Sequence, residues 1–181
     1  MKELSLNILD IAQNSIKAGA DDIYITIDET DETFKLSIKD NGCGMSPEFV
    51  AQVTDPFCTT RTTRKVGLGI PLLKLAAEQT GGFIEIHSKE EALFPDNHGT
   101  ETIALLYKKH LDFTPLGDII STLITLIQGS PDLNFYFTHN ISGKRIYLAT
   151  KEMKEILGDV PLDSPEILAW IKESLTEEYE S

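Results

Sequence analysis

The order of helical and strand patterns in the first 107 residues is the feature that most constrains the fold of this chain. Apolar side chains recur with helical spacing over 4–18 and 68–80, and a shorter helix with Ser46 as its N-cap is predicted over 46–53. Apolar and polar side chains alternate, as in strands with one buried face, over 22–28, 33–40, 83–88 and 101–107. This succession predicts an α/β two-layer sandwich, a mixed sheet with helices on one face.

Residues 110–181 change in character and predict a small α/β extension whose role the sequence does not indicate. Thr114 and Pro115 are typical of the cap and first position of a helix that would carry an apolar stripe as far as Ile127. The further predicted elements are a hairpin over 133–149 and helices over 151–157 and 165–175. We therefore divide the chain into a first domain, residues 1–109, and the extension.

Composition and charge exclude several classes of function. A net charge of −13 repels the phosphates of nucleic acids, so no nucleic-acid partner is predicted. Polar residues interrupt the apolar N-terminal run, which is therefore no signal peptide, and no stretch reaches membrane-spanning length. Cys43 and Cys58 form neither a disulfide framework nor a paired metal motif, and packing is favoured over a redox role for them. These features predict a cytoplasmic protein with no membrane partner.

The segment DNGCGM, residues 40–45, combines an acid with two flexible positions. Asp40 stands at the end of a predicted strand, and Gly42 and Gly44 follow at once. Such glycine content suits a tight turn, or a loop that must move over a ligand.

The polar face of the first helix carries Asp10, Asn14 and Lys17 at spacings of four and three residues. Side chains at these spacings share one helical face. Taken alone, this pattern favours a solvated helix face over a site.

The segment before the second long helix is predicted to be a loop that contributes positive charge. Arg61, Arg64 and Lys65 lie in it, and their positive charge suits either a triphosphate-binding segment or an ordinary basic loop. The helix then starts within Gly67, Leu68 and Gly69, and helix N-termini with glycines bind phosphate. The segment is not a Walker A motif, and a lone Gly-Leu-Gly carries little weight by itself. Further along, Thr100 at the start of the last strand could hydrogen-bond a base edge, or could simply begin the strand.

Together these motifs resemble the GHKL ATPase superfamily, the Bergerat fold of histidine kinase catalytic domains, DNA gyrase B, Hsp90 chaperones and MutL. The matching segments, in order, are LDIAQNSIKAGA, DNGCGM, DPFCTTR, GLGIPLLK and GTETIALL. The resemblance covers residues 4–107 and not the extension. The segment DPFCTT is similar to the phenylalanine-containing box of histidine kinases, which favours the kinase-like branch.

The resemblance implies roles for these residues. Asn14 would hold Mg²⁺ against the phosphates of ATP, and Asp40 would accept a hydrogen bond from the adenine amino group. Asp10 would orient or deprotonate an attacking water, and Lys17 would meet the terminal phosphates. Other nucleotide-binding positions are implied at Gly42, Gly44, Phe57 in the lid, Arg61, Arg64, Lys65, Gly67, Leu68, Gly69 and Thr100. Aspartate stands at position 10 where the ATP-hydrolysing relatives carry glutamate, so its side chain is one methylene shorter than theirs.

Two functions from different classes follow. The first is a Mg·ATP-dependent ATPase or kinase that transfers the γ-phosphoryl group to a partner protein or to water. Stand-alone modules of this kind resemble anti-sigma-factor kinases, which phosphorylate a serine of a partner and also bind that partner. The second is an ATP-gated protein-binding module with negligible turnover. A degenerate domain without nucleotide is disfavoured, because the motifs of Asn14 and Asp40 are complete. The segment HLDFTPL, which begins at His110, resembles a phosphoacceptor box, but a domain junction is the favoured interpretation. A homodimer is possible through the apolar stripe, although packing within the domain is favoured for it.

Overall fold

The computed structural model describes residues 3–55 and 67–181. The described helices are α1 (Leu4–Lys17), α2 (Pro47–Val53), α3 (Gly69–Gln79), α4 (Ile119–Gly129), α5 (Thr150–Leu157) and α6 (Pro165–Glu180). The described strands are β1 (Asp22–Glu29), β2 (Thr33–Asp40), β3 (Phe83–Lys89), β4 (Gly99–Tyr107), β5 (Asn134–Ile141) and β6 (Lys144–Ala149). They form one sheet in the order β3-β4-β2-β1-β5-β6, and β1–β5 is its parallel pair.

Side chains alternate between the two faces of the sheet, as the sequence pattern predicts. Ile25 is buried and faces Ile38 on β2 and Phe137 on β5, so the apolar positions of neighbouring strands are in register. Helices α1, α3, α4 and α6 add their apolar faces to this layer. The opposite face is more open, and there Tyr24 stacks on Tyr136 with ring centroids 4.4 Å apart. The predicted two-layer α/β sandwich with a mixed sheet is confirmed.

The start of the extension differs from the prediction. The helix begins at Ile119 rather than at Pro115, because Gly117 has a left-handed φ of 77° and interrupts the chain before it. Asp118 is the N-cap, and its carboxylate accepts a hydrogen bond from the Ser121 N–H at 3.0 Å. The prediction that Thr114 and Pro115 start the helix was therefore wrong.

The residues before α4 instead supply hydrogen-bond acceptors for the first turn of helix α1. The first turn of a helix has N–H groups without intrahelical partners. Here the N–H groups of Leu4 and Ser5 donate to the carbonyls of Pro115 and Leu116, both at 2.8 Å. The Thr122 hydroxyl on α4 also donates to the Ser5 carbonyl at 3.1 Å. The extension thus anchors the helix that carries the predicted site residues.

The extension also continues the sheet. Strand β5 pairs with β1, and the β5–β6 hairpin turns at Ser142 and Gly143, both with positive φ. The division at residue 110 stays a prediction about domain organisation, since the described residues on both sides contribute to one sheet and one apolar core. Within the described ranges, no helix is both long and apolar enough to cross a membrane.

Candidate functional site

A cavity of about 400 Å³ opens where β2 ends and β4 begins, below the C-terminal half of α1. Five of the residues singled out in the sequence line it: Asn14, Lys17, Asp40, Gly44 and Thr100. Elements distant in sequence therefore bring together one carboxylate, one amide, one ammonium and one hydroxyl group. The volume falls in the range of small-molecule sites.

Asp40 is the buried acid of this cavity, with 9% of its surface exposed. Its Oδ1 accepts hydrogen bonds from the Gly42 N–H at 2.8 Å and the Thr100 N–H at 3.3 Å. Its Oδ2 accepts one from the Ser15 hydroxyl at 2.5 Å. A carboxylate has about four acceptor positions, so these three bonds orient Asp40 and leave capacity for one donor of a ligand.

The glycines near Asp40 are required by close backbone contacts. Gly44 has φ 73°, and a Cβ there would lie 2.0 Å from the Lys89 carbonyl oxygen. Gly99 has φ 136°, and its Cβ would lie 2.0 Å from the Asp40 carbonyl oxygen. The loop after β2 is thus pressed against β3 and β4, and any side chain at these two positions would push it away.

Asn14 is the polar group in this region that lacks an internal partner. Its side-chain Nδ2 is buried and makes no hydrogen bond within the part of the chain that the structure describes. Buried polar atoms without partners are rare and require an explanation, such as a ligand or an ion. The Asn14 amide therefore fits a residue that holds a polar ligand or a hydrated metal.

Asp10 lies one helical turn before Asn14, outside the lining of the cavity. Burial raises the pKa of its carboxyl group, and the positive charge of Lys17 partly opposes this shift. A carboxylate with a raised pKa is a better proton acceptor near neutral pH. The Cβ of Asp10 also lies close to the first residue of α3, Gly69. A Cβ added to Gly69 would be only 2.7 Å from the Asp10 Cβ.

The predicted phosphate-binding segment is described only in part. Gly67 and Leu68 are exposed, whereas Gly69 is buried against α1, where its carbonyl accepts a hydrogen bond from the Asn7 side chain at 3.4 Å. Close packing of α3 on α1 thus gives a second reason for glycine at position 69. The remaining predicted lid residues, Phe57, Arg61, Arg64 and Lys65, lie outside the described residues.

Sequence reasoning missed two contributors to the cavity. Ser15 holds Asp40, and the only signal in the sequence was its position next to Asn14. Apolar side chains form the walls of the cavity: Ile11, Ile38, Met45, Phe49 and Ile70. These walls come from four elements and the loop after β2, so periodicity could not predict that they meet. They suit a flat apolar group such as a nucleobase.

The loop after β2 is linked to the extension by a chain of side-chain hydrogen bonds. The Asn41 Oδ1 accepts the N–H groups of Asp21 and Asp22 at 2.8 and 2.9 Å, and its Nδ2 donates to the Asp22 carboxylate at 3.1 Å. Asn134 on β5 donates to the other Asp22 oxygen at 2.8 Å. Lys154 on α5 donates to Asn134 at 3.3 Å. Residues of the extension therefore bear on the position of the loop that contains Gly42.

Comparison with known protein families assigns the chain. Residues 2–110 match the family described as histidine kinase-, DNA gyrase B-, and HSP90-like ATPase, which is more than half of the chain. The chain belongs to this family. Membership identifies the first 110 residues as an ATP-binding, histidine-kinase-like domain and confirms the predicted superfamily. The extension lies outside the matched range.

Curated relatives of this ATPase-family chain include sensor proteins. It is 37% identical over 94 residues to the sensor protein SrrB of Staphylococcus aureus strain NCTC 8325 / PS 47, and equally to that of strain COL. The match covers 49% of this chain and 16% of the sensor protein. The chain therefore spans only about a sixth of the relative's length.

Proposed function

We propose that the chain binds Mg·ATP in the cavity beside Asp40 and serves as a regulatory kinase or ATPase module. In this proposal the γ-phosphoryl group passes to a partner protein or to water. Asp40 and Thr100 recognise the adenine edge, and the apolar walls with Met45 and Phe49 hold its faces. Mg·ATP supplies the transferable phosphoryl group. The described residues bind and orient the nucleotide and accept a proton from the group that attacks the phosphorus.

The buried Asn14 amide is the observation that carries the proposal. Its Nδ2 is unpartnered among the described residues, and Asn14 lies on the same face of α1 as Asp10 and Lys17. The amide nitrogen can donate to a phosphate oxygen or to a water of hydrated Mg²⁺, and the oxygen of the same amide is the atom that would bind Mg²⁺ itself. Three side chains of suitable chemistry border the one cavity. In the proposal, Asp40 accepts from the adenine amino group, the Asn14 amide holds the metal and the Lys17 ammonium meets the phosphates.

Asp10 is the proposed base. Its raised pKa and its place one turn from Asn14 suit a carboxylate that accepts a proton from water or from an acceptor hydroxyl. Lys17 contributes positive charge for the terminal phosphates, two helical turns along the same face.

The test is ATP binding and turnover by the purified full chain with Mg²⁺, beside two variants. Asp40→Asn removes an acceptor oxygen and should weaken ATP binding by about 100-fold, since a buried site rejects ligands whose donors it cannot pair. Asp10→Asn should abolish turnover while the dissociation constant changes by less than about threefold, because it removes a group that acts in the reaction. Asp31→Asn is the matched control, because Asp31 is exposed in the β1–β2 turn.

The outcomes separate the functions. Absence of ATP binding by the unmodified chain would refute the proposal. Turnover that survives in Asp10→Asn would refute the assigned base. Tight binding without turnover, with candidate acceptor proteins present, would favour the ATP-gated binding module. One observation favours that second function, namely the hydrogen-bond chain from Asn41 to Lys154, which links the loop beside the cavity to the extension.

A further inference from the structure

A groove lies between α5 and α6 at the edge of the sheet. It is lined by residues between 147 and 178, whereas the cavity beside Asp40 is lined by residues between 11 and 102. Its volume is about 190 Å³. Met153 and Ile156 line one wall, and Trp170 and Leu175 line the other. Ile156 is 84% exposed and Trp170 is 57% exposed, although both are large and apolar. Exposed aromatic and aliphatic side chains on facing walls are typical of a protein-binding surface.

The charge around the groove is negative. Residues 144–181, which include β6 beside the groove, contain nine acidic and five basic residues. Of these basic residues, Lys144 donates to carbonyls at the end of α6. One of the basic residues, Lys154, is turned inward, where its ammonium donates to the Leu133 carbonyl at 2.7 Å. Two carboxylates, those of Glu152 and Glu178, line the groove itself. The groove therefore complements a positively charged partner.

The shape of the groove favours a helix over a strand. Strand β6 is the edge of the sheet here, and an added strand would need its outward N–H groups. The Tyr147 N–H is already directed at the Glu178 carboxylate, at 3.4 Å. The two helical walls leave a trough into which the apolar side chains of a third helix can insert.

We propose that the groove between α5 and α6 binds a basic amphipathic helix of a partner protein. Apolar side chains at helical spacing occupy the trough between Ile156 and Trp170, and flanking lysine or arginine residues meet the acidic rim. A second copy of this chain is a poor occupant, because each copy carries a net charge of −13 and the same acidic rim. This inference goes beyond the proposed function, since it does not depend on nucleotide.

The test uses the intrinsic fluorescence of Trp170, which is the single tryptophan of the chain. The full chain is titrated, without ATP, with an amphipathic helical peptide of leucine and lysine about 18 residues long, which makes five turns. A peptide of the same composition with its apolar face scrambled is the control ligand. We expect saturable binding with a blue shift of the emission for the amphipathic peptide, and at least about tenfold weaker binding for the scrambled one.

Matched variants locate the binding. Ile156→Asp should weaken binding of the amphipathic peptide by at least about tenfold, because it places a charge in the trough. Leu111→Asp adds the same charge at a residue that is 97% exposed outside the groove, and should leave binding unchanged. Both residues are exposed, so neither change should unfold the chain. Equal binding of the two peptides, equal loss in both variants, or no change in Trp170 emission would each overturn the proposal.

Discussion

The Ser15 hydroxyl donates a hydrogen bond of 2.5 Å to the Asp40 carboxylate and so joins the first helix to the end of the second strand. Ser15 is 3% exposed and Asp40 is 9% exposed, so this contact is shielded from bulk water. It sets the direction in which Asp40 presents its remaining acceptor position to the cavity. Together with the N–H groups of Gly42 and Thr100, this contact holds Asp40 in place beside the helix that carries Asn14.

The first prediction concerns this contact. Ser15→Ala should weaken ATP binding by roughly tenfold, because Asp40 loses a donor that orients it, and should lower the free energy of unfolding by about 1–2 kcal/mol. Isothermal titration with ATP and urea unfolding measure the two effects. Thr176→Ala, which removes a hydroxyl that donates to the Lys172 carbonyl on α6, is the control and should leave ATP affinity unchanged. Unchanged affinity in Ser15→Ala would contradict the orienting role.

The second prediction concerns the link between Asn134 and the loop beside the cavity. Asn134 donates to Asp22 at 2.8 Å, and Asn140, further along the same strand, donates to Asp28 at 2.7 Å. The two bonds are alike, but only Asp22 also binds Asn41 beside the cavity. Asn134→Ala should therefore weaken ATP binding by about three- to tenfold, whereas Asn140→Ala should not. Equal affinities of the two variants in the same titration would show that the extension does not bear on the loop.

The third prediction concerns pH. His139 is 2% exposed, and its ring lies between the Tyr179 hydroxyl at 2.7 Å and the Glu29 carboxylate at 2.9 Å. Burial lowers the pKa of His139 below its ordinary value of 6.5, although Glu29 opposes the shift. Burial also raises the pKa of Tyr179, so its phenol stays protonated and donates to the ring. Lys108 pairs with Glu29 at 2.6 Å and adds positive charge near the ring.

The sign follows from the number of protons that each state binds. Below about pH 6.5 the unfolded chain protonates this histidine before the folded chain does, so stability is present above that pH and is lost as the pH falls. We expect the free energy of unfolding to decrease on acidification from pH 6.5, with a slope of up to about 1.4 kcal/mol per pH unit from this residue. His139→Gln should remove that part of the slope in urea unfolding series. An unchanged slope would assign the acid sensitivity to other groups.

The fourth prediction concerns the extension. A chain ended after residue 110 would lose β5 and expose the backbone edge of β1, together with core residues such as Ile25 that face Phe137. It would also lose the carbonyls of Pro115 and Leu116 that accept the first N–H groups of α1. We expect the truncated chain to unfold at a lower temperature, or to aggregate, in thermal denaturation followed by circular dichroism. A truncated chain with the full melting temperature and ATP affinity would support an independent domain over residues 1–109.

Part of the candidate site could be predicted from local patterns. The spacing of Asp10, Asn14 and Lys17 is set by the helical repeat, and Asp40 follows directly from the end of an alternating strand, so the sequence indicated these residues and the order of their elements. The apolar walls of the cavity, such as Phe49 and Ile70, could not be predicted, because side chains from separate elements meet only after the helices pack on the sheet.

The sequence by itself determined the succession of helices and strands, the buried face of each and the family, because these depend on periodicity and on motifs that are local in the chain. Tertiary structure alone decided that the extension joins the same sheet, through the parallel pairing of β1 and β5, since strand pairing depends on contacts between distant segments. Tertiary structure also decided where α4 starts. The cap pattern at Thr114 predicts an earlier start, but Gly117 interrupts the chain there and the carbonyls of residues 115 and 116 accept hydrogen bonds from α1. The helix that carries Asn14 is therefore completed by a part of the chain outside the ATPase family match.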